Sequence, residues 1–269
     1  MENSRIAARG IVLLGCGKMG SAMLAGWLAR GVPETSVWVV DPAPSDWVLS
    51  TGAHVNADLP ADPAVVLIAV KPQMMAQALP NIADLGVADT VFVSIAAGTP
   101  IAAFEAALGA RAIVRAMPNT PAAVGQGITA ICGNAAGDAY LGEAEELLSA
   151  IGAVVRLGDE AQMDAVTGVS GSGPAYVFHL IETLAAAGVA QGLPDALALQ
   201  LAKATVAGAG ALAQQAEDDP SQLRVNVTSP NGTTQAALDV LMDEDRGFPV
   251  LVKEAVAAAT ERSKELARG

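Results

Sequence analysis

The run Gly15-Cys16-Gly17-Lys18-Met19-Gly20 has the spacing G-x-G-x-x-G. An apolar β-type stretch precedes it, a helical pattern follows it, and Asp41 ends the next β-type stretch. Glycine at the three fixed positions permits a tight turn, lets backbone approach a pyrophosphate, and allows helix to pack closely on strand. The pyrophosphate then lies at a helix N-terminus, where free N–H groups and the helix dipole favour negative charge. These six residues are therefore expected to bind a dinucleotide, against the bland alternative of a glycine-rich turn with no ligand. Asp41 bears on which dinucleotide. A carboxylate there accepts a hydrogen bond from the ribose 2′-OH and repels a 2′-phosphate. The following Pro42-Ala43-Pro44-Ser45-Asp46-Trp47 carries no Arg or Lys to hold that phosphate. On this ground NADH is favoured over NADPH; the competing view of Asp41 is a solvated turn residue before Pro42.

Two further strand ends carry small or polar residues. Ala69-Val70-Lys71-Pro72 closes one apolar run, and Ala96-Ala97-Gly98 closes the next. Strand C-termini are where cofactors bind in open α/β sheets. Lys71 is read as facing the cofactor, with a plain surface lysine as the alternative. Small residues at 96–98 let a cofactor lie against backbone. Met117-Pro118-Asn119-Thr120-Pro121 follows another β-type run and shapes either the crevice floor or a purely structural turn.

The usual catalytic groups are missing. There are two histidines, His54 in a polar stretch and His179 in an apolar helical one, where a core role is commoner. No H-E-x-x-H, cysteine cluster or paired metal carboxylates appear, so no metal is expected. Ser172 in Ser170-Gly171-Ser172-Gly173-Pro174 does not follow a strand and so forms no nucleophile elbow; Pro174 marks a helix start instead. The chemistry is then expected to be hydride transfer by the cofactor, with the protein supplying position and hydrogen bonds. One stretch remains odd: VTSPNGTTQAAL, residues 227–238, places Pro230, Asn231 and Gly232 among four hydroxyls between two Ala- and Leu-rich helical regions.

Periodicity places these residues. Short unalternating apolar runs at 11–14, 37–40, 65–70, 91–95, 112–116 and 127–132 read as strands, with helical stretches at 18–30, 73–83, 100–108 and 139–150. That alternation predicts a doubly wound sheet with parallel strands covered on both faces. After residue 158 the pattern is helical, at 160–168, 173–190, 195–216, 234–243 and 248–267, broken by Gly and Pro. The predicted organisation is a Rossmann-type dinucleotide-binding domain over 1–158 and an all-α substrate and dimerisation domain over 159–269.

With 269 residues and 52% hydrophobic content the chain can build a sizeable core, and with 3% aromatics that core must be Ala, Val, Leu and Ile. A net charge of −13 argues against nucleic acid, and no basic amphipathic face points to a membrane surface. Two separated cysteines, Cys16 and Cys132, read as reduced thiols. The N-terminal residues lack an apolar run, so a short frayed leader is expected there rather than a signal peptide, and the location is expected to be cytoplasmic. Residues 196–213 are apolar enough to resemble a membrane span, but Lys203 and the dominance of Ala favour a buried helix.

Taken in order, GCGKMG, VKPQ, SIAAG, RAMPNTP, TGVSGSGPAY and VTSPNGTT resemble pyrroline-5-carboxylate reductases over residues 10–267, the last two motifs being the specific ones. The resemblance implies hydride transfer from NAD(P)H to the cyclic imine L-1-pyrroline-5-carboxylate, giving L-proline, by a Rossmann domain followed by a helical dimerisation domain, often in rings of dimers. It carries cofactor roles onto the glycine loop and Ser21, Asn56, Ala69, Val70, Lys71, Ala96, Ala97, Gly98 and Asn226. It carries substrate roles onto Glu160, Thr233 and Thr234, with Glu217 as an acid near the site. Two departures stand out. Asn231 replaces the first glycine of the usual SPGGTT, a change the αL tolerance of Asn permits. Asp41 replaces a small hydroxyl or basic residue, which bears on cofactor preference and not on the reaction.

The substrate has a carboxylate, and helix N-termini offer donors that do not titrate away. Ser172 and Gly173 open one helix; Gly232, Thr233 and Thr234 open another. Both starts are expected to face the nicotinamide, with the N–H groups of Thr233 and Thr234 on the carboxylate and the Thr234 hydroxyl on the imine nitrogen as the catalytic contact. Ordinary N-capping is the competing explanation for both hydroxyls. An Ala-rich helical domain with few large side chains also predicts an obligate homodimer. Two other functions stay open: a related reductase of another imine or a β-hydroxyacid, which would need a lysine such as Lys203, and a non-catalytic NAD(P)-binding regulator.

Overall fold

The computed structural model of the chain describes residues 4–86 and 89–268. They form two compact units: residues up to Gly171 together with those from Ala259 onward, and Ser172–Ala258. The division differs from the expected 158/159 because the segment 160–171 and the end of the last helix pack with the sheet.

The first unit is built on eight strands: β1 Ile11–Leu14, β2 Val37–Val40, β3 His54–Val55, β4 Val65–Ile68, β5 Val91–Ser94, β6 Ala112–Met117, β7 Gly127–Gly133 and β8 Gly152–Arg156. Their order in the sheet is β3-β2-β1-β4-β5-β6-β7-β8. The chain reverses direction of winding between β1 and β4, the place where such sheets open a crevice at their strand C-termini. All pairings are parallel except β6 with β7, which is antiparallel. That reversal corrects the expectation of a parallel sheet: the link between the two strands holds only the short 3-10 helix Thr120–Val124, too short for a crossover.

Helices α1 Ser4–Arg9, α2 Lys18–Ala29, α3 Asp46–Leu49, α4 Met75–Ala78, α5 Ile101–Leu108, α6 Leu141–Leu148 and α7 Met163–Val166 cover the sheet. Strand residues alternate between two cores. Ile11, Leu13 and Leu67 pack with Met23, Leu24 and Trp27 of α2 on one face. Val12, Leu14 and Ile68 pack with Met75, Phe104 and Leu108 on the other. Burying each such side chain stabilises by about 1.5–3 kcal/mol, so both faces lock the register of β1 and β4.

Three local expectations change. Residues 4–9 are not frayed but helical: Ile6 is buried, and Arg5 and Arg9 pair with Glu143 and Asp62. The stretch 73–83 is not one helix but two short 3-10 turns on either side of α4, and Pro80 lies inside the second of them. Short β3 and β8 carried too little periodicity to read.

The second unit contains α8 Gly173–Ala190, α9 Asp195–Gln215, α10 Pro220–Asn226, α11 Thr233–Leu241 and the first part of α12 Phe248–Arg268. Gly188 of α8 lets Ala198 and Leu193 approach: a Cβ there would lie 3.3 Å from each. On α9 Ala198 and Ala202 are buried, while Leu197, Leu199, Leu201 and Leu212 are exposed. Within one chain α9 is therefore not the buried helix expected, although it is long and apolar enough to cross a membrane by length and composition. The expectation fails because a unit of small side chains encloses little volume of its own. His179 likewise is not a core residue; it is exposed and pairs with Glu182 at 3.2 Å.

Candidate active site

At the C-termini of β1 and β4 lies a crevice of about 820 Å³ lined by Gly15, Gly17, Asp41, Asn56, Ala69 and Lys71, among others. The three glycines do three different jobs. Gly15 has φ +91, and a Cβ there would lie 2.9 Å from Val70 Cγ1. At Gly20 a Cβ would come within 2.5 Å of the Gly15 carbonyl oxygen, so only glycine lets α2 pack this closely on the loop. Around Gly17 no protein atom lies within 4 Å of an added Cβ. The fold thus needs glycine at 15 and 20, while the bare backbone at 17 faces open crevice at the start of α2. That is the shape a pyrophosphate requires, and the residues fit a dinucleotide.

Asp41 closes β2 with both carboxylate oxygens engaged. Oδ2 accepts the Cys16 N–H at 2.6 Å and Oδ1 accepts the Ala43 N–H at 2.8 Å. Each oxygen retains acceptor capacity. Asn56, in the left-handed region at φ 51, accepts the Asp41 N–H at 3.0 Å and donates to the Asp41 carbonyl at 2.8 Å. Asn56 therefore holds Asp41 in place. Among the loop residues, Cys16 is buried, Lys18 is exposed and Met19 packs on the core. Ser21 Oγ donates to the Cys16 carbonyl at 2.9 Å. Burial, and then the Asp41 charge, push the Cys16 thiol up, against a lowering by Ser21, so it is a packed group rather than a nucleophile.

Val70 and Lys71 reach the crevice from the end of β4. Ala96, Ala97 and Gly98 do not line it; they form the next loop, after β5, with Gly98 at φ 71. Buried Ser94 accepts the Ala96 N–H at 3.2 Å. At the loop's far end the Ile101 N–H donates to Glu160 Oε1 at 2.8 Å, and the same oxygen pairs with Arg115 Nη1 at 2.7 Å. Arg115 was absent from the sequence expectations. Its signal was there: one guanidinium inside the apolar strand run Ala-Ile-Val-Arg-Ala. Asn119 is buried, accepts the Ile128 N–H at 3.0 Å and donates to the Ser170 carbonyl at 3.1 Å. That supports a structural role for the Met117–Pro121 turn.

The second unit holds the other predicted positions. Ser172 is the N-cap of α8 without a side-chain capping bond, and Gly173 is its first residue. Gly232, which has no side chain to cap with, is the extended N-cap of α11, and Thr233 and Thr234 begin the helix. Asn231 sits in the left-handed region at φ 58, as the substitution allows. The Thr228 hydroxyl is spent on the Arg224 carbonyl at 2.6 Å, ending α10. Thr233 and Thr234 hydroxyls make no hydrogen bond among the described residues. Capping therefore does not account for them. Asn226 is held locally, accepting from Gln222 at 2.7 Å and donating to Asp218 at 3.3 Å. Glu217 is exposed.

Residues 160–266 match the family model described as "Pyrroline-5-carboxylate reductase dimerisation", and residues 10–98 match "NADP oxidoreductase coenzyme F420-dependent". The chain is 42% identical to the pyrroline-5-carboxylate reductase of Pseudomonas aeruginosa over 265 residues, 96% of each chain. Its fold superposes on a solved pyrroline-5-carboxylate reductase from Coxiella burnetii with a TM-score of 0.90 and 33% identity, covering 96% of this chain and 98% of that one. It also superposes on the Plasmodium falciparum pyrroline carboxylate reductase with NADP bound, TM-score 0.81 and 28% identity, covering 99% of both.

Proposed function

The chain belongs to the pyrroline-5-carboxylate reductase family, and on that premise we propose how its residues divide the work of reducing L-1-pyrroline-5-carboxylate to L-proline. The enzyme is an NAD(P)-dependent oxidoreductase acting on a cyclic imine. Bound NAD(P)H supplies the hydride that adds to the imine carbon. Gly15 to Gly20 hold the pyrophosphate at the start of α2, and Asp41, backed by Asn56, takes the ribose hydroxyls and favours NADH. Lys71 and the 96–98 loop complete the cofactor side, and Asn226 adds a contact of its own.

The start of α11 is the observation that carries the substrate assignment: two backbone N–H groups and two hydroxyls begin a helix with no hydroxyl spent on the protein. Free N–H groups of Thr233 and Thr234 hold the carboxylate, aided by the helix dipole. The Thr234 hydroxyl accepts from the iminium N–H and so orients it. A threonine hydroxyl is too weak an acid to protonate the ring nitrogen, so the imine arrives protonated from water and positioning does the rest. Ser172 and Gly173 offer a second helix start, and Glu160 a carboxylate for the ring N–H. The boundary of function stays near 158/159, in keeping with the match that begins at residue 160.

The exposed apolar surface of α9 supports an obligate homodimer; further assembly into rings of dimers and a cytoplasmic location are proposed on the family resemblance alone. The test is absorbance at the reduced-nicotinamide band with the imine as substrate, run separately with NADH and NADPH. Oxidation dependent on the imine, faster with NADH at equal concentration, is expected. A greater kcat/KM with NADPH would overturn the preference, and no oxidation with either would overturn the assignment.

A further inference from the structure

The Arg115–Glu160 pair is hard to explain as stabilisation. Arg115 is 5% exposed on β6, flanked by Val114 and Ala116, which are buried as well. A buried ion pair is often no more stable than apolar residues of the same volume, whereas one partner alone is costly. A strand that served only the core would be expected to carry an apolar residue here.

What the pair does is visible in its connections. Arg115 is the sheet neighbour of Ser94, the last residue of β5. From Ser94 the chain leaves the sheet, forms the 95–100 loop and enters α5 at Ile101. Ser94 Oγ holds the outgoing strand end through the Ala96 N–H. Glu160 Oε1 holds the incoming end through the Ile101 N–H, and Arg115 fixes that oxygen. The circuit from Ser94 out through the loop and back to Arg115 is closed. Leu266 of α12 backs the same loop, lying 3.1 Å from where a Cβ on Gly98 would be. The thiol of Cys132, the sheet neighbour of Arg115 on β7, is pushed up to about 11 by burial and then by the Glu160 charge, which places that carboxylate's charge against the sheet.

We infer that Arg115 is a positioning residue: through Glu160 it clamps the 95–100 loop in the shape that receives the cofactor. The proposal rests on the reading of Ala96, Ala97 and Gly98 as cofactor contacts. It adds Arg115 to the functional residues and gives Glu160 Oε1 a task separate from any contact its other oxygen makes with the ring N–H.

The test measures the NADH dissociation constant by quenching of protein fluorescence, with no imine present, so a substrate contact by Glu160 does not enter. R115M leaves a carboxylate without its partner and is expected to lower stability. R115M/E160L replaces the pair by an apolar couple and keeps the fold. Both are expected to weaken NADH binding about tenfold or more, a size in keeping with a small misplacement of a binding loop. R115K, which retains a cation beside Glu160, should recover most of the affinity. A97L, which adds bulk to the loop itself, should also weaken NADH. If R115M/E160L binds NADH like the parent while A97L does not, the clamp is overturned and the loop reading stands. If A97L binds NADH like the parent, the loop is not at the cofactor, and both fall.

Discussion

Asp41 Oδ2 accepts the Cys16 N–H at 2.6 Å, so the carboxylate that closes β2 also ties down the second residue of the glycine loop. The bond makes Asp41 a brace for the loop, and on the proposed reading the same side chain is also the ribose acceptor. Asp41→Ala is expected to raise KM for NADH about tenfold or more, since a lost hydrogen bond to a charged group is worth about 1.5–3 kcal/mol. It should not improve NADPH by itself, because the brace is lost for both cofactors. Ala43→Arg keeps the brace and adds a cation beside Asp41. The NADPH-to-NADH ratio of kcat/KM should rise, and an unchanged ratio would count against Asp41 as the selector.

Gly17 and Gly20 separate cofactor from fold. A methyl at Gly17 meets no protein atom, so Gly17→Ala should leave urea stability within about 0.5 kcal/mol. Its NADH dissociation constant should rise by about tenfold, because the methyl occupies the phosphate's approach. A methyl at Gly20 meets the Gly15 carbonyl, and Gly20→Ala should cost about 1–3 kcal/mol. Parent-like NADH affinity in Gly17→Ala would remove the pyrophosphate from this loop.

Thr234→Ala removes a hydroxyl that caps nothing, so thermal unfolding should not change. If the hydroxyl orients the iminium, kcat should fall by roughly 10–100-fold, the worth of one hydrogen bond to a charged group. NADH affinity should stay as it was. Parent-like turnover would sink the assignment.

Cys132 makes stability depend on pH at the alkaline end. Its thiol is pushed from the usual 9.0 up to about 11, chiefly by burial. The folded state therefore favours the protonated form, and its contribution is full below pH 9.0 and lost as pH rises towards 11. The unfolding free energy from urea titrations should fall across that window by an amount on the order of 2 kcal/mol. Cys132→Ala should show a shallower decline; an identical slope would place the titration elsewhere.

Leu201 and Leu212 on α9 are exposed in the single chain, and light scattering should find no stable monomer even at low concentration. Leu201→Asp should dissociate the assembly and abolish turnover together. A folded, active monomer would contradict the obligate dimer.

Much of the fold was legible because its signals are local. G-x-G-x-x-G, the apolar runs and the Gly and Pro breaks each act within a few residues, and they gave the doubly wound class, the crevice and the helix starts at 173 and 233. The Asn231 turn was legible for the same reason, since only a few residue types accept φ near +58. Strands of two residues, or of five without alternation, fell below what periodicity can register.

The sequence by itself determined which backbone stretches could bind a dinucleotide and a small anion, since spacing alone decides where glycines and helix starts fall. Tertiary structure alone decided the partners. It brought Glu160 to Arg115 across 45 positions of chain, ran β7 against β6, and left the leucines of α9 uncovered. A hydrogen-bond partner or a burial state depends on atoms that folding brings together from distant positions, and no local spacing specifies which atoms those will be.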